Sequence, residues 1–153
     1  MTIAAELETR IGRAVPAVFS ELIAIERYPE WLIASGIVGV ERLDEGPLQA
    51  GSRLRVEQRV AGRAATLEGV VTVNEPDERF GFEARDKDGV KVDLEASVAA
   101  AEDGPATILR WSIKVGLPLR FRMLEGMVAP QARRAAALDL EAFKRRLESV
   151  AEG

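Results

Sequence analysis

Apolar and polar residues alternate from Thr2 to Gly12, with Ile3, Ala5, Leu7, Thr9 and Ile11 on one side and Glu6, Glu8 and Arg10 on the other. That period belongs to a half-buried strand. Pro16 then presets a first helical turn, and Val18, Phe19, Leu22, Ile23 and Ile25 form a helical stripe of about three turns that ends near Tyr28-Pro29. Trp31, Leu32 and Ile33 are the material for a second short helix before Gly36. From Ile37 to Val115 the period returns to two. Six segments, Ile37–Asp44, Ser52–Val60, Ala64–Asn74, Arg79–Arg85, Val90–Ala99 and Thr107–Val115, are separated by turn signals such as Ala61-Gly62, Glu75-Pro76-Asp77 and Asp86-Lys87-Asp88-Gly89. Connections this short make neighbouring strands antiparallel.

After Gly116-Leu117-Pro118 the period becomes helical. Phe121, Leu124, Val128, Ala132, Ala135, Leu138, Ala142 and Phe143 make one broad stripe, later joined by Leu147 and Val150, while Arg133, Arg134, Asp139, Lys144 and Glu148 fall largely outside it. Pro130 either starts this helix or kinks a longer one. The segment from Leu119 to Leu124 mixes arginines with large apolar groups, as membrane-surface segments do, but reads better as a packed helix start with snorkelling arginines. One strand, one or two short helices, six strands and a long helix make an α+β chain. The economical arrangement is a seven-stranded curved antiparallel sheet wrapped around the C-terminal helix, as one domain over residues 1–153.

Composition narrows the chemistry. Of 153 residues 47% are apolar and 30% charged, with a net charge of −4, enough for one core without staples. With no His and no Cys, thiol nucleophiles, imidazole-based triads and thiolate metal sites are excluded. The acidity argues against nucleic acid as a partner. No apolar run approaches the ~18 residues of a membrane span, so no stable membrane insertion is expected. The opening residues do not read as a targeting segment, which makes a cytoplasmic address the expectation.

PAVFSELIAIER, the YPEW string at Tyr28–Trp31, the GPLQAGSRLRV hairpin, NEPDERFGF at Asn74–Phe82, TILRWSIKV at Thr107–Val115 and the closing EAFKRRLE, taken in order, resemble the SRPBCC superfamily. This is the START or helix-grip fold, and within it the similarity is to bacterial polyketide cyclase/dehydrase and lipid-transport-like proteins. The resemblance covers essentially the whole chain. It implies a cavity between sheet and C-terminal helix that takes a hydrophobic small molecule such as a lipid, a polyketide or a quinone-like compound. No catalytic constellation of the family is present to carry over, and no cofactor or metal is implied.

Alternation places an apolar set inward: Leu54, Val56, Gln58 and Val60; Leu67, Gly69, Val71 and Val73; Phe80, Phe82 and Ala84; Val92, Leu94, Ala96 and Val98; Thr107, Leu109, Trp111, Ile113 and Val115. Gln58 and Thr107 are its polar members, and neither can act as acid or base near neutrality. The alanines of the last helix stand where a filled core would prefer Leu, which fits either close packing or unfilled space. Candidate ligand-contacting residues are Tyr28 and Trp31, where the resemblance implies a cavity entrance, Gln58, Phe82 and Trp111 on the sheet, and Met123, Met127, Gln131 and Ala135 on the final helix. Two look-alikes fail: Asp86–Gly89 has its glycine fourth rather than sixth for a calcium loop, and Glu75, Asp77 and Glu78 make a solvated turn. The leading expectation is a binding or carrier module. The alternative is a cyclase- or dehydratase-like enzyme that works by shaping its substrate, and the third option is a partner-binding protein with a homodimer face.

Overall fold

Every alternating segment becomes a strand, and all seven join one sheet. The computed structural model describes residues 2–60 and 62–152, with the side chains of Arg122 and residues 150–152 left out. The expected turn residue Ala61 and the expected stripe position of Val150 therefore lie outside the described residues and side chains. The elements are β1 (Thr2–Ile11), α1 (Val15–Leu22), a 3-10 turn (Ile25–Glu30), β2 (Ile37–Arg42), β3 (Arg53–Val60), β4 (Arg63–Glu75), β5 (Arg79–Arg85), β6 (Lys91–Ala100), β7 (Thr107–Gly116), a second 3-10 turn (Leu119–Leu124) and α2 (Glu125–Glu152). Strands from β2 to β7 pair antiparallel in sequence. β1 closes on β7, Thr2 opposite Gly116 and Ile11 opposite Thr107, giving the order β1-β7-β6-β5-β4-β3-β2.

The first helix is shorter than its stripe suggests. It stops at Leu22, where the buried Tyr28 hydroxyl donates to the Leu22 carbonyl at 2.5 Å and so satisfies an acceptor that the helix end leaves free. The second short helix falls at Ile25–Glu30 rather than on Trp31–Ile33, which form a turn instead. Gly36 ends that turn at φ +74°, and a Cβ there would stand 2.2 Å from the Arg59 carbonyl, so only glycine lets the turn dock on β3.

One register change alters the inner face. β4 bulges between Val71 and Val73: Val71 lies opposite Phe82, but Val73 lies opposite Gly81 and Asn74 opposite Phe80. Val73, expected inward, is therefore on the outer face and Asn74 takes the inner one, because one extra residue inverts the alternation beyond it. Val60, also expected inward, is half-exposed at the end of β3.

Helix α2 resolves the question posed by Pro130. The helix begins at Glu125, five residues earlier, so the proline lies inside it and deprives the Gly126 carbonyl of its N–H partner. At 1.5 Å per residue its 28 residues extend about 42 Å. It runs along β1: Arg133 Nε donates to the Ala4 carbonyl at 3.2 Å near one end, and the Gly12 N–H reaches Glu148 Oε2 at 2.8 Å near the other. Arg146 ties its last third to Glu21 of α1 at 2.9 Å and to Glu30 at 3.2 Å. The core between sheet and helix holds Leu109, Trp111, Leu140, Phe143 and Leu147 with the early aromatic residues.

Candidate functional site

Exposure changes along the inner face of the sheet. On β7, Thr107, Leu109 and Trp111 are fully buried, whereas Ile113 and Val115 are only partly covered; on β6, Ala96 is buried and Val92 is partly open. The face is thus sealed at one end and admits solvent at the other. The helix side follows the same gradient. Ala136, Leu140, Phe143 and Leu147 are buried, and Val128, Ala132 and Ala135, earlier on that side of α2, are partly exposed. The alanines therefore divide: Ala136 is buried, while Ala132 and Ala135 are partly exposed, as are Val92, Ile113 and Val115 on the inner face of the sheet.

The sealed end is aromatic. Trp31 packs its ring centroid 4.5 Å from Phe143, 5.5 Å from Trp111 and 5.2 Å from Tyr28, and Tyr28 lies 6.4 Å from Phe82. Tyr28, Trp31, Phe82 and Trp111, four expected ligand contacts, do come together, but as a packed wall with edge-on and tilted geometries rather than as an entrance. Burial pushes the Tyr28 phenol far above its ordinary value, and the nearby Glu21 charge adds to the effect, so the hydroxyl stays protonated.

Three polar side chains that reach the interior donate to backbone, while Trp31 Nε1 and Asn74 Oδ1 are buried with no partner among the described residues. Gln58 Nε2 donates to the Ser35 carbonyl at 2.8 Å, Asn74 Nδ2 to the Leu48 carbonyl at 2.7 Å, and the Thr107 hydroxyl to the Arg13 carbonyl at 2.7 Å. Asp139 is the largest departure from the sequence reading, which set it outside the helical stripe. It is only 1% exposed. The Ala34 N–H donates to one carboxylate oxygen at 2.8 Å and the Ser35 N–H to the other at 3.0 Å. Burial raises its pKa above the usual carboxylate range, and the Ser35 hydroxyl and the two amide donors pull against that. Asp139, the 33–36 turn and Gln58 thereby form one strut joining α2 to β3. The helical spacing contained a signal for it, since Asp139 lies three residues after Ala136 and four before Phe143.

Other expected contacts are displaced. Met123 is 95% exposed and Met127 69% exposed, and Gln131 also faces solvent. Leu119 and Leu124 are exposed with them, which corrects the expectation of a packed helix start. The turn readings hold: Asp86 Oδ1 accepts from the amides of Asp88 and Val90, both at 2.9 Å, and the Arg79 guanidinium bonded to Glu75 lowers the pKa of that carboxylate. Two depressions, of about 230 and 600 Å³, lie on the outer face of the sheet. The smaller is lined by Asp93, Glu95 and Lys114, and the larger combines Glu8, Arg10 and Arg110 with Ala99, Ala101 and Ile108.

Known structures repeat this architecture. A START superfamily protein from Mycobacterium smegmatis superposes with a TM-score of 0.75 at 18% identity, with 96% of this chain and 98% of that one covered. The Zhui aromatase/cyclase from Streptomyces sp. R1128 gives 0.77 at 17% identity over 97% and 94%. Ara h 8.0201 gives 0.70 at 14% over 97% and 99%. At such identities the likeness is one of fold. No curated protein matches the sequence. The sequence itself matches one family description over residues 2–148, nearly its whole length. With its helix-grip architecture, the chain belongs to the polyketide cyclase/dehydrase and lipid transport family.

Proposed function

We propose that the protein is a binding or carrier module for a hydrophobic small molecule, a lipid, polyketide or quinone-like compound, held in the cleft between α2 and the open end of the sheet. The observation that carries this reading is the partial exposure of the inner-face residues Val92, Ile113 and Val115, together with that of Val128, Ala132 and Ala135 on α2. A fully buried leucine in place of Ala132 or Ala135 would contribute about 1.5–3 kcal/mol, and a ligand supplies that contact instead. The aromatic wall limits how deep the ligand reaches. Family membership supports the same class of ligand.

A cyclase- or dehydratase-like activity is the second reading, favoured by one observation: Asp139 is an inward carboxyl with a raised pKa, the property a general acid needs. Both its oxygens already accept backbone amides, so binding without chemistry is preferred.

The test is titration with anilinonaphthalene sulfonate, an apolar fluorescent probe, against the natural chain and Ala135→Phe. Filling the cleft should weaken probe binding about tenfold while stability changes by less than about 1 kcal/mol, since open space accepts the ring. A loss of about 1–3 kcal/mol with probe affinity unchanged would mean that the position is already packed and the cleft is not the site.

A further inference from the structure

Five of the eight large apolar residues exposed on the described surface fall within twenty positions of one another: Leu119, Met123, Leu124, Met127 and Leu138. Along α2, Met127, Gln131, Arg134 and Leu138 follow the i, i+4, i+7, i+11 spacing of a single helix face, and all four are exposed. This face turns away from the sheet, so the core gains nothing from it. The segment's own charge is opposite in sign to that of the molecule, with Arg120 paired to Asp88 from outside it. From Leu119 to Leu138 the sequence has four arginines (Arg120, Arg122, Arg133 and Arg134) against the single acid Glu125, a net +3 in a chain whose total is −4. Arg120 stacks its guanidinium 4.9 Å from the Phe121 ring centroid and is anchored by Asp88. Arg134 is exposed on the same face.

We infer that this segment, the 3-10 turn Leu119–Leu124 with the outer face of the first half of α2, docks the protein on the surface of an anionic lipid bilayer. Exposed methionine and leucine side chains are suited to the headgroup–acyl boundary, and arginines flanking them are drawn to anionic headgroups. The segment is far too short to span, and no helix among the described residues is long and apolar enough to cross a membrane, so the contact is peripheral. A second copy of this chain is the less suitable occupant, because a two-fold contact through this face would set its arginines against their own copies. The inference stands on the surface residues and not on the proposed ligand.

Co-sedimentation of the full chain with phosphatidylcholine vesicles, with and without about one-third phosphatidylglycerol, tests the inference. Binding is expected to the anionic vesicles and at least tenfold weaker to the neutral ones, and to fall as salt is raised. The double substitution Met123→Asp with Met127→Asp should weaken binding at least tenfold, and Arg134→Glu by about fivefold or more. Circular dichroism and probe binding sensitive to Ala135→Phe should be preserved in both variants, which separates a failure of docking from a failure of the ligand reading. Equal binding of the variant and natural chains, or no binding to anionic vesicles, overturns the inference. So does a concentration-dependent dimer that the methionine substitutions abolish, since the occupant would then be a second copy.

Discussion

Asp139 shows how a single side chain can hold separate parts of the fold together. A carboxylate at the middle of a helix normally faces water, but here two amides of the 33–36 turn need acceptors where little water reaches, and the carboxylate supplies both. Asp139→Asn keeps one acceptor and presents an amide N–H to another N–H, so it should cost about 1–3 kcal/mol in urea denaturation. The pH dependence has a definite sign. Because the folded-state pKa is raised above the ordinary 3.8, the native chain holds this proton to higher pH than the unfolded chain does, and stability falls as pH rises through that interval. Asp44 and Glu75 act the other way, the Arg53 amide and the Arg79 side chain having lowered their pKa values, and their contribution is lost as pH falls. The asparagine variant removes only the first effect. Its stability deficit relative to the natural chain should therefore shrink as pH rises from about 4 upward, and a deficit that stays constant or widens would contradict the burial of an ionisable carboxyl.

At the scale of elements, α2 has two halves with different obligations. Its second half is fixed by Leu140, Phe143 and Leu147 in the core and by the Arg146 ion pairs with Glu21 and Glu30. Its first half carries small residues inward, apolar ones outward and an internal proline, so tertiary packing contributes little there and local propensity matters more. Pro130→Ala restores a backbone hydrogen bond to Gly126 and removes a clash with the preceding turn. It should raise helicity in circular dichroism and stabilise the protein by about 1–3 kcal/mol. A drop in stability would mean that the proline shapes the helix for the cleft beneath it. The same division explains the reading of this segment from sequence. The period of 3.6 was legible, as was the proline's conflict with it, but the face of α2 that packs inward carries Ala136, Asp139 and Leu140 and leaves Leu138 outward, one position away from the expected stripe.

For the whole molecule, the wall of Tyr28, Trp31, Trp111 and Phe143 separates a filled end from an open one. Stability and binding should therefore respond to different substitutions. Phe143→Ala removes a fully buried ring and should cost about 3–5 kcal/mol with probe affinity changed less than twofold, the reverse of the outcome expected for Ala135→Phe. If probe affinity follows Phe143 as closely as Ala135, the two ends form one compartment and the aromatic cluster is part of the site.

Period and turn chemistry in the sequence determined seven antiparallel strands, each bounded within two residues, and the long closing helix, because alternation and 3.6-residue spacing are local properties of the chain. The inward placement of most strand residues followed from the same alternation. Three matters were decided only by the tertiary structure. The bulge in β4 exchanged Val73 for Asn74, since a Val-Val-Thr-Val string alternates equally well in either register and the pairing with Phe80 and Gly81 chose between them. Asp139 went inside because its partners stand 104 and 105 residues earlier, a proximity that no local pattern encodes. Met123, in the 3-10 turn, and Met127, at the start of α2, went outside, while Ala136, Leu140 and Phe143 took the inward positions on the helix. Hydrophobicity makes a side chain eligible for the interior, but the volume between helix and sheet sets how many can be taken in, and that volume exists only once the strands have paired.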